Sequence, residues 1–157
     1  MTIPWDLIAR VFVAAVLGGV IGAERQFRSK QAGLRTHFII ALGSALFTVI
    51  SIYGFKDIMA QNPNYSFDPS RIAAQIVTGI GFLGAGIIIF QKNSIHGLTT
   101  AAGIWTTSAI GIGCGCGMYS LAIAGTLLTL VGFELLGYID GTFRNARKNA
   151  GEEEDDS

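Results

Sequence analysis

Charged residues are scarce in this chain of 157 residues: aspartate, glutamate, lysine and arginine make up 14% of it, and hydrophobic residues make up 50%. An average soluble domain carries about 25% charged residues. The mean hydropathy is +0.50. This composition disfavours a water-soluble protein and indicates one that is embedded in a bilayer.

Residues suited to metal binding and to catalysis are also few. The chain has two cysteines, Cys114 and Cys116, and two histidines, His37 and His96. A Cys-x-Cys pair has poor geometry for an internal disulfide and offers two soft ligands at most, so we expect both cysteines to be small packing residues. The sequence contains no nucleophile–base pair, phosphate loop or histidine cluster. We therefore expect no enzyme and no resident cofactor, and the pattern assigns no residue to a metal.

Five apolar segments are each long enough for a helix across a hydrocarbon core of about 30 Å. They lack the two-residue alternation of strands. The sequence predicts an all-α polytopic membrane domain over 1–140, with about five transmembrane helices packed through glycine, and a short charged tail over 141–157 that is disordered. The N-terminus lacks the basic start of a cleaved signal peptide, so we expect the first span to be retained. The predicted spans are Pro4–Ala23, Thr36–Phe55, Arg71–Phe90, Leu98–Met118 and Tyr119–Ile139, with the last boundary between residues 113 and 120.

Basic residues cluster on one side of this predicted topology. Eight of the 11 lysines and arginines fall in the links after spans one and three and in the C-terminal tail, and three fall on the other side. Positive charge is enriched in cytoplasmic segments of membrane proteins. We therefore predict that the N-terminus is outside and the C-terminus cytoplasmic. The eight residues are Arg25, Arg28, Lys30, Arg35, Lys92, Arg144, Arg147 and Lys148.

The stretch TGIGFLGAG, residues 78–86, contains the pattern Gly-x-Gly-x-x-Gly that marks dinucleotide-binding turns. Such a turn requires a preceding strand, a following helix and an acidic residue about 20 positions later. Here the stretch lies in an apolar run, and no acidic residue occurs between Asp68 and Glu134. We instead predict that small residues at helical spacing let membrane helices approach closely. The glycines assigned to this role are Gly18, Gly22, Gly79, Gly81, Gly84, Gly111 and Gly115.

Ionisable residues inside membrane spans cost free energy and are therefore candidates for function. Asp6 and Arg10 are four residues apart, so they can pair along one helical face or anchor the span at the interface. Asp68 precedes Pro69 at the predicted start of span three, where it suits an N-cap. Alternatively, Asp68 lies at the entrance of a path for cations, together with Arg71 and Gln75.

A second group of polar residues lies at the predicted cytoplasmic ends of the spans. Glu24 and Arg25 end span one and Arg35 opens span two, while Thr99 and Thr100 open span four with Trp105 slightly deeper. If these ends converge, they form a basic pocket with one carboxylate. Topological sorting of positive charge explains the arginines equally well. We expect Glu134 to be an interfacial acid.

Three segments resemble the signature segments of the MgtC/SapB family of bacterial inner-membrane proteins: GAERQFRSKQAGLRTHFIIALGSALF, DPSRIAAQIVTGIGFLGAGIII and GLTTAAGIWTTSAIGIGCGCGMY. The resemblance covers about Gly18 to Gly137. Members with a cytoplasmic extension form an ACT-like domain there, whose function is not carried over to the short acidic tail. The family's motif positions fall on Glu24, Arg25, Lys30, Gly33, Arg35, Asp68, Arg71, Gln75, Gly81, Gly84, Thr99, Thr100 and Trp105.

The resemblance implies a multi-pass inner-membrane protein linked to magnesium homeostasis or transport, to growth at low magnesium and to survival inside host cells. Mg²⁺ would be the transported or sensed ion. The alternative that it implies is a non-transporting regulator that binds other membrane proteins, such as ATP synthase. The small number of carboxylates near the spans slightly favours the regulator. The small-residue faces predict a homo-oligomer, the basic rim suits anionic lipid headgroups, and we expect no nucleic-acid partner.

Overall fold

The computed structural model describes residues 5–61, 68–91 and 94–155, with side chains described as far as Tyr138. Pro4, Lys92 and the basic residues of the tail therefore lie outside the described residues or side chains. The described elements are α1 (Trp5–Phe27), α2 (Leu34–Tyr53), α3 (Lys56–Gln61), α4 (Ser70–Ile87), β1 (Ile89–Gln91), β2 (Ser94–His96), α5 (Leu98–Gly115) and α6 (Tyr119–Asp155).

Four stretches of the described chain are helical, long and apolar enough to cross a membrane: Trp5–Phe27, Leu34–Ile58, Ser70–Ile87 and Tyr119–Tyr138. The fifth long helix, α5, is rich in threonine and glycine, and it packs against α1, α2, α4 and α6. The prediction of an all-α membrane protein is therefore confirmed, with the count of five spans approximate. The backbone of α6 continues into the tail, and the disorder predicted for 141–157 stays a prediction.

Helix α1 ends at Phe27, four residues beyond the predicted Ala23, and two other differences at span ends have a local structural cause. The third span ends at Ile87 instead of Phe90, because Phe90 lies in β1 and pairs with Ile95 of β2 in an antiparallel hairpin. This pairing satisfies backbone groups that a longer helix would otherwise satisfy. The fourth span ends at Gly115. Gly117 follows at φ 80°, and the Met118 N–H donates to the Gly113 carbonyl at 2.8 Å, as in a Schellman C-cap.

The centre of the molecule is a close contact among α1, α2 and α5 that small residues make possible. A Cβ on Gly18 would lie 2.5 Å from the His37 carbonyl oxygen, and one on Gly22 would lie 2.7 Å from the Leu34 Cα. On α5, a Cβ at Gly111 would lie 2.5 Å from the Ala41 carbonyl oxygen, and one at Gly115 would lie 2.6 Å from Thr48 Cβ. Four glycines thus allow backbones to approach where no other residue fits.

Helix α4 is peripheral, and its glycines differ from those of the centre. Only Ile80 and Gly84 of this helix are buried. A Cβ on Gly84 would lie 3.7 Å from Ala101 Cβ, which is ordinary van der Waals contact, while Gly79 and Gly81 would meet no atom of the described chain within 4 Å. Close packing against the chain's own helices is therefore absent at Gly79 and Gly81.

Gly111→Ala is expected to destabilise the fold by about 1–3 kcal/mol, because the new methyl group would overlap the Ala41 carbonyl. Gly79→Ala is the matched control: its methyl group has open space, and alanine favours a helix over glycine by about 1 kcal/mol. Thermal unfolding of both variants in detergent micelles tests the difference. Equal midpoints for the two variants would contradict the packing role of Gly111.

Candidate functional site

Two acidic and two basic side chains join α1 to α6 at one end of the bundle, called here the arginine end. Glu24 accepts hydrogen bonds from Arg25, at 2.7 Å from Nη2, and forms an ion pair with Arg28 Nε at 2.8 Å. Arg28 also pairs with Glu134 of α6. An acidic residue followed four residues later by an arginine is a favourable pair on a helix. In the last turn, the positive charge of the arginine also interacts favourably with the negative end of the helix dipole.

Arg25 is the buried member of this group. Its side chain is 4% exposed, and its guanidinium lies over the Phe133 ring at 3.7 Å from the centroid. A buried charge needs a partner, and here Glu24 supplies two hydrogen bonds while the aromatic face supplies a cation–π contact. Helix α6 is thus held at this end by Phe133 and by Glu134.

The chain turns sharply after α1 and brings Lys30 back towards the same residues. Ser29 adopts a left-handed conformation with φ 54°, and the Lys30 N–H donates to the Arg25 carbonyl at 3.0 Å. This is a Schellman C-cap with serine in the position that glycine usually takes. Lys30 makes no ion pair within the described part of the chain.

These residues line an open cleft of about 1320 Å³, called here the arginine cleft. Its walls come from the end of α1 and the following turn, the hairpin, the first turns of α5 and the middle of α6. Arg25, Arg28 and Lys30 lie on one side, and Thr99 and Thr100 lie on another.

The structure brings together about half of the predicted site residues. Glu24, Arg25, Lys30, Thr99 and Thr100 lie at or around the arginine cleft. Arg35 is at the same end but is exposed and does not line the cleft. Trp105 is 52% exposed and lines a separate groove of about 340 Å³ between α4 and α5, beside Gly84. Asp68, Arg71 and Gln75 lie at the opposite end of the bundle, and all three are exposed.

Arg10 connects α1 to the ends of α2 and α5 at the opposite end of the helix bundle. It lies 3.9 Å from Asp6, the pairing that the sequence predicts, and 5.3 Å from the Tyr53 ring centroid. It also donates to the Gly115 carbonyl at 3.0 Å, at the C-terminus of α5. An arginine at this position satisfies a free carbonyl and opposes the negative end of the helix dipole. This contact joins residues 105 positions apart, so no local pattern in the sequence indicates it.

Helix α4 begins at Ser70 with Pro69 in the N-cap position, so Asp68, the predicted N-cap, lies one residue further out and bonds to Ser70 from there. Its Oδ1 accepts from the Ser70 hydroxyl at 2.6 Å and from the Ser70 N–H at 2.9 Å. These two hydrogen bonds hold the pKa of Asp68 below its usual value of 3.8, and the charge of Arg71 acts in the same direction.

A polar seam between α2 and α5 was not foreseen. His37 Nδ1 lies 2.7 Å from Thr107 Oγ1, and Ser44 Oγ lies 3.0 Å from Ser108 Oγ. The Thr107 hydroxyl donates to the Gly103 carbonyl at 2.8 Å, so it accepts from His37 and fixes the proton on Nδ1. His37 Nε2 has no partner in the described chain. The recurrence of polar residues at helical spacing on α2, at 37, 44, 48 and 51, was the available signal.

The sequence matches a known protein family over most of its length. A model described as the MgtC family matches residues 11–141. The chain belongs to the MgtC family. It is 51% identical over 144 residues to YhiD of Escherichia coli K12, named as a candidate magnesium transporter, and 45% identical over 123 residues to Protein MgtC of Salmonella typhimurium LT2. No solved structure matches the chain significantly.

These MgtC-family relatives are longer than the chain described here. The matches cover 92% and 78% of this chain but 66% of YhiD and 49% of the Salmonella protein.

In the part of the chain that the structure describes, no three histidine, cysteine, aspartate or glutamate side chains come together as metal ligands would. Cys114 is buried and Cys116 is exposed, and both are free thiols.

Thr107→Val should destabilise the protein by about 1–3 kcal/mol, because it leaves the buried His37 N–H without an acceptor. Thr106→Val is the control, since Thr106 bonds only to the Ala102 carbonyl of its own helix. Thermal unfolding in detergent micelles measures both. Equal unfolding temperatures for the two variants would contradict a stabilising role of the hydrogen bond between His37 and Thr107.

The capping of α4 is expected to depend on pH. Because the pKa of Asp68 is lowered in the folded protein, its contribution is complete above the ordinary value of 3.8 and is lost as pH falls through the folded value. Asp68→Asn keeps an acceptor that does not titrate. Wild type should therefore lose thermal stability relative to Asp68→Asn on acidification below pH 3.8. If the unfolding temperatures of wild type and Asp68→Asn change with pH in parallel, this role of Asp68 is contradicted.

Proposed function

We propose that this chain is a regulator of magnesium homeostasis in the bacterial inner membrane that acts by binding other membrane proteins and does not itself carry the ion. The observation that carries the proposal is the pairing of the carboxylates at the arginine end. Glu24 is bonded by Arg25 and Arg28, and Glu134 is bonded by Arg28.

Magnesium ions require free carboxylate oxygens, because Mg²⁺ is usually held by one or two carboxylates together with water or phosphate. A magnesium ion at Glu24 would have to displace Arg25, which is buried. Leaving a buried charge unpaired costs about 3–5 kcal/mol. The surrounding cleft also has an excess of positive charge, which disfavours a divalent cation.

The family supports the link to magnesium, and the outer helices support the binding of partners. YhiD is named for magnesium transport and is 51% identical to this chain. Helix α6 has most of its described apolar side chains exposed, among them Leu128, and α4 exposes Val77, Phe82 and Leu83. Large exposed apolar faces on a membrane helix suit lateral association, either with a second copy or with another membrane protein. Arg25, Arg28, Lys30 and Arg35 favour a cytoplasmic location for the arginine end, with the N-terminus outside.

Purified protein in liposomes loaded with a magnesium-sensitive dye should show no flux above empty liposomes, under inward and outward gradients. In a strain lacking the native gene, wild type should restore growth at low magnesium, while Arg25→Gln should not, because Glu24 keeps only Arg28 and Phe133 loses its cation–π partner. Arg35→Gln, at the same end but outside the cleft, is the control and should restore growth.

Two results would contradict the regulator. The first is magnesium flux in either direction that Glu24→Gln abolishes, which would support transport. The second is full growth with Arg25→Gln although the variant is expressed and inserted in the membrane.

A further inference from the structure

We propose that the arginine cleft binds a phosphate group, carried by an anionic lipid or by a soluble phosphate compound. The inference is independent of whether the protein regulates or transports. It rests on the unbalanced charge of the cleft, on hydroxyl groups that have no partner, and on the exposed start of α5.

The cleft has one more positive charge than its ion pairs use. Arg25, Arg28 and Lys30 line it, whereas Glu24 and Glu134 are the only acidic side chains bonded to these cations among those that the structure describes. Each arginine also keeps donors that its carboxylate partner does not occupy, since a guanidinium has five. Arginine and lysine side chains that line one cleft, with spare donors, are suited to the several acceptor oxygens of a phosphate.

Two threonine hydroxyls in the cleft wall have no partner in the described chain. Thr106, Thr107, Thr126 and Thr129 each donate to the carbonyl four residues earlier. Thr99 and Thr100 lie in the first turn of α5, where the residues four positions earlier belong to the hairpin. Thr100 is 8% exposed and still lines the cleft. The Thr100 hydroxyl is not among the fully buried atoms, so it is accessible from the cleft, where a ligand acceptor can accept its hydrogen bond.

The same turn presents backbone donors. Gly97 begins α5 at φ 89° and provides no side-chain cap, so the first N–H groups of the helix remain free on the cleft side. The N-terminus of a helix is equivalent to roughly half a positive charge. Together with the basic side chains, it gives one cleft both cationic and hydrogen-bonding groups, from different elements of the fold.

The size and the rim of the cleft suit a phosphate attached to something larger. About 1320 Å³ exceeds the 300–1,000 Å³ that is typical of small-molecule pockets. Exposed Leu98 and Leu136 lie at its edge. An acyl chain can extend along such apolar side chains while its headgroup occupies the basic interior.

The test uses the purified full chain in nanodiscs. In the lipid arm, phosphatidylcholine discs contain a minor fraction of spin-labelled phosphatidylglycerol, and its retention on the protein is compared with labelled phosphatidylcholine. In the soluble arm, inorganic phosphate is titrated into pure phosphatidylcholine discs by calorimetry. Lys30→Gln and Thr100→Val should each weaken binding about tenfold, since a hydrogen bond to a charged group contributes this much. Arg35→Gln is the control of equal charge change and should alter binding less than twofold, because Arg35 is exposed and does not line the cleft.

Each outcome decides the proposal. Binding of either probe that depends on Lys30 and on Thr100 supports it, and the arm that shows binding identifies the source of the phosphate. Thr99→Val, at an exposed position, provides a second hydroxyl variant if Thr100→Val does not fold. The proposal is overturned if neither probe binds, or if Arg35→Gln weakens binding as much as Lys30→Gln, which would indicate surface charge alone.

Discussion

The contact of α1, α2 and α5 across glycine is the constraint on which the remaining structure depends. Membrane helices gain no hydrophobic free energy by leaving lipid for one another, so their association requires close packing and interhelical hydrogen bonds. Gly18 and Gly111 let two helices reach the backbone of α2 around Ala41. The close approach of α5 to α2 at Gly111 also brings His37 within 2.7 Å of Thr107, and a larger residue at Gly111 would disturb this contact.

The arginine end follows from this contact because α1 can place its last turn only where the glycines put it. Arg25 is then buried and needs both Glu24 and the Phe133 ring. Gly103 makes room for this ring: a Cβ there would lie 2.7 Å from Phe133 Cζ. The position of α6, which packs mainly on α5, therefore depends on a glycine of α5 and on a charge of α1.

Much of the fold was predictable from the sequence, because hydropathy and length determine what can cross lipid. The candidate site was predictable only in part. Glu24, Arg25, Lys30, Thr99 and Thr100 meet because they are at helix ends that topology brings together. Arg35 and Trp105 share those ends but face elsewhere, since the rotation of a helix is set by packing. For the same reason, Gly79 and Gly18 lie in similar small-residue patterns, but only Gly18 of these two packs closely against another described helix.

The two anchored arginines of α1 make this helix a spacer of fixed length. Arg10 is held by the Gly115 carbonyl at one end, and Arg25 is held by Glu24 and Phe133 at the other. Fifteen residues of helix between them correspond to about 22 Å along the axis. Because neither guanidinium can slide without losing a partner, α1 cannot adjust its depth on its own. A bilayer of different thickness must therefore be matched by tilting the central helices as one unit or by deforming the lipid around them.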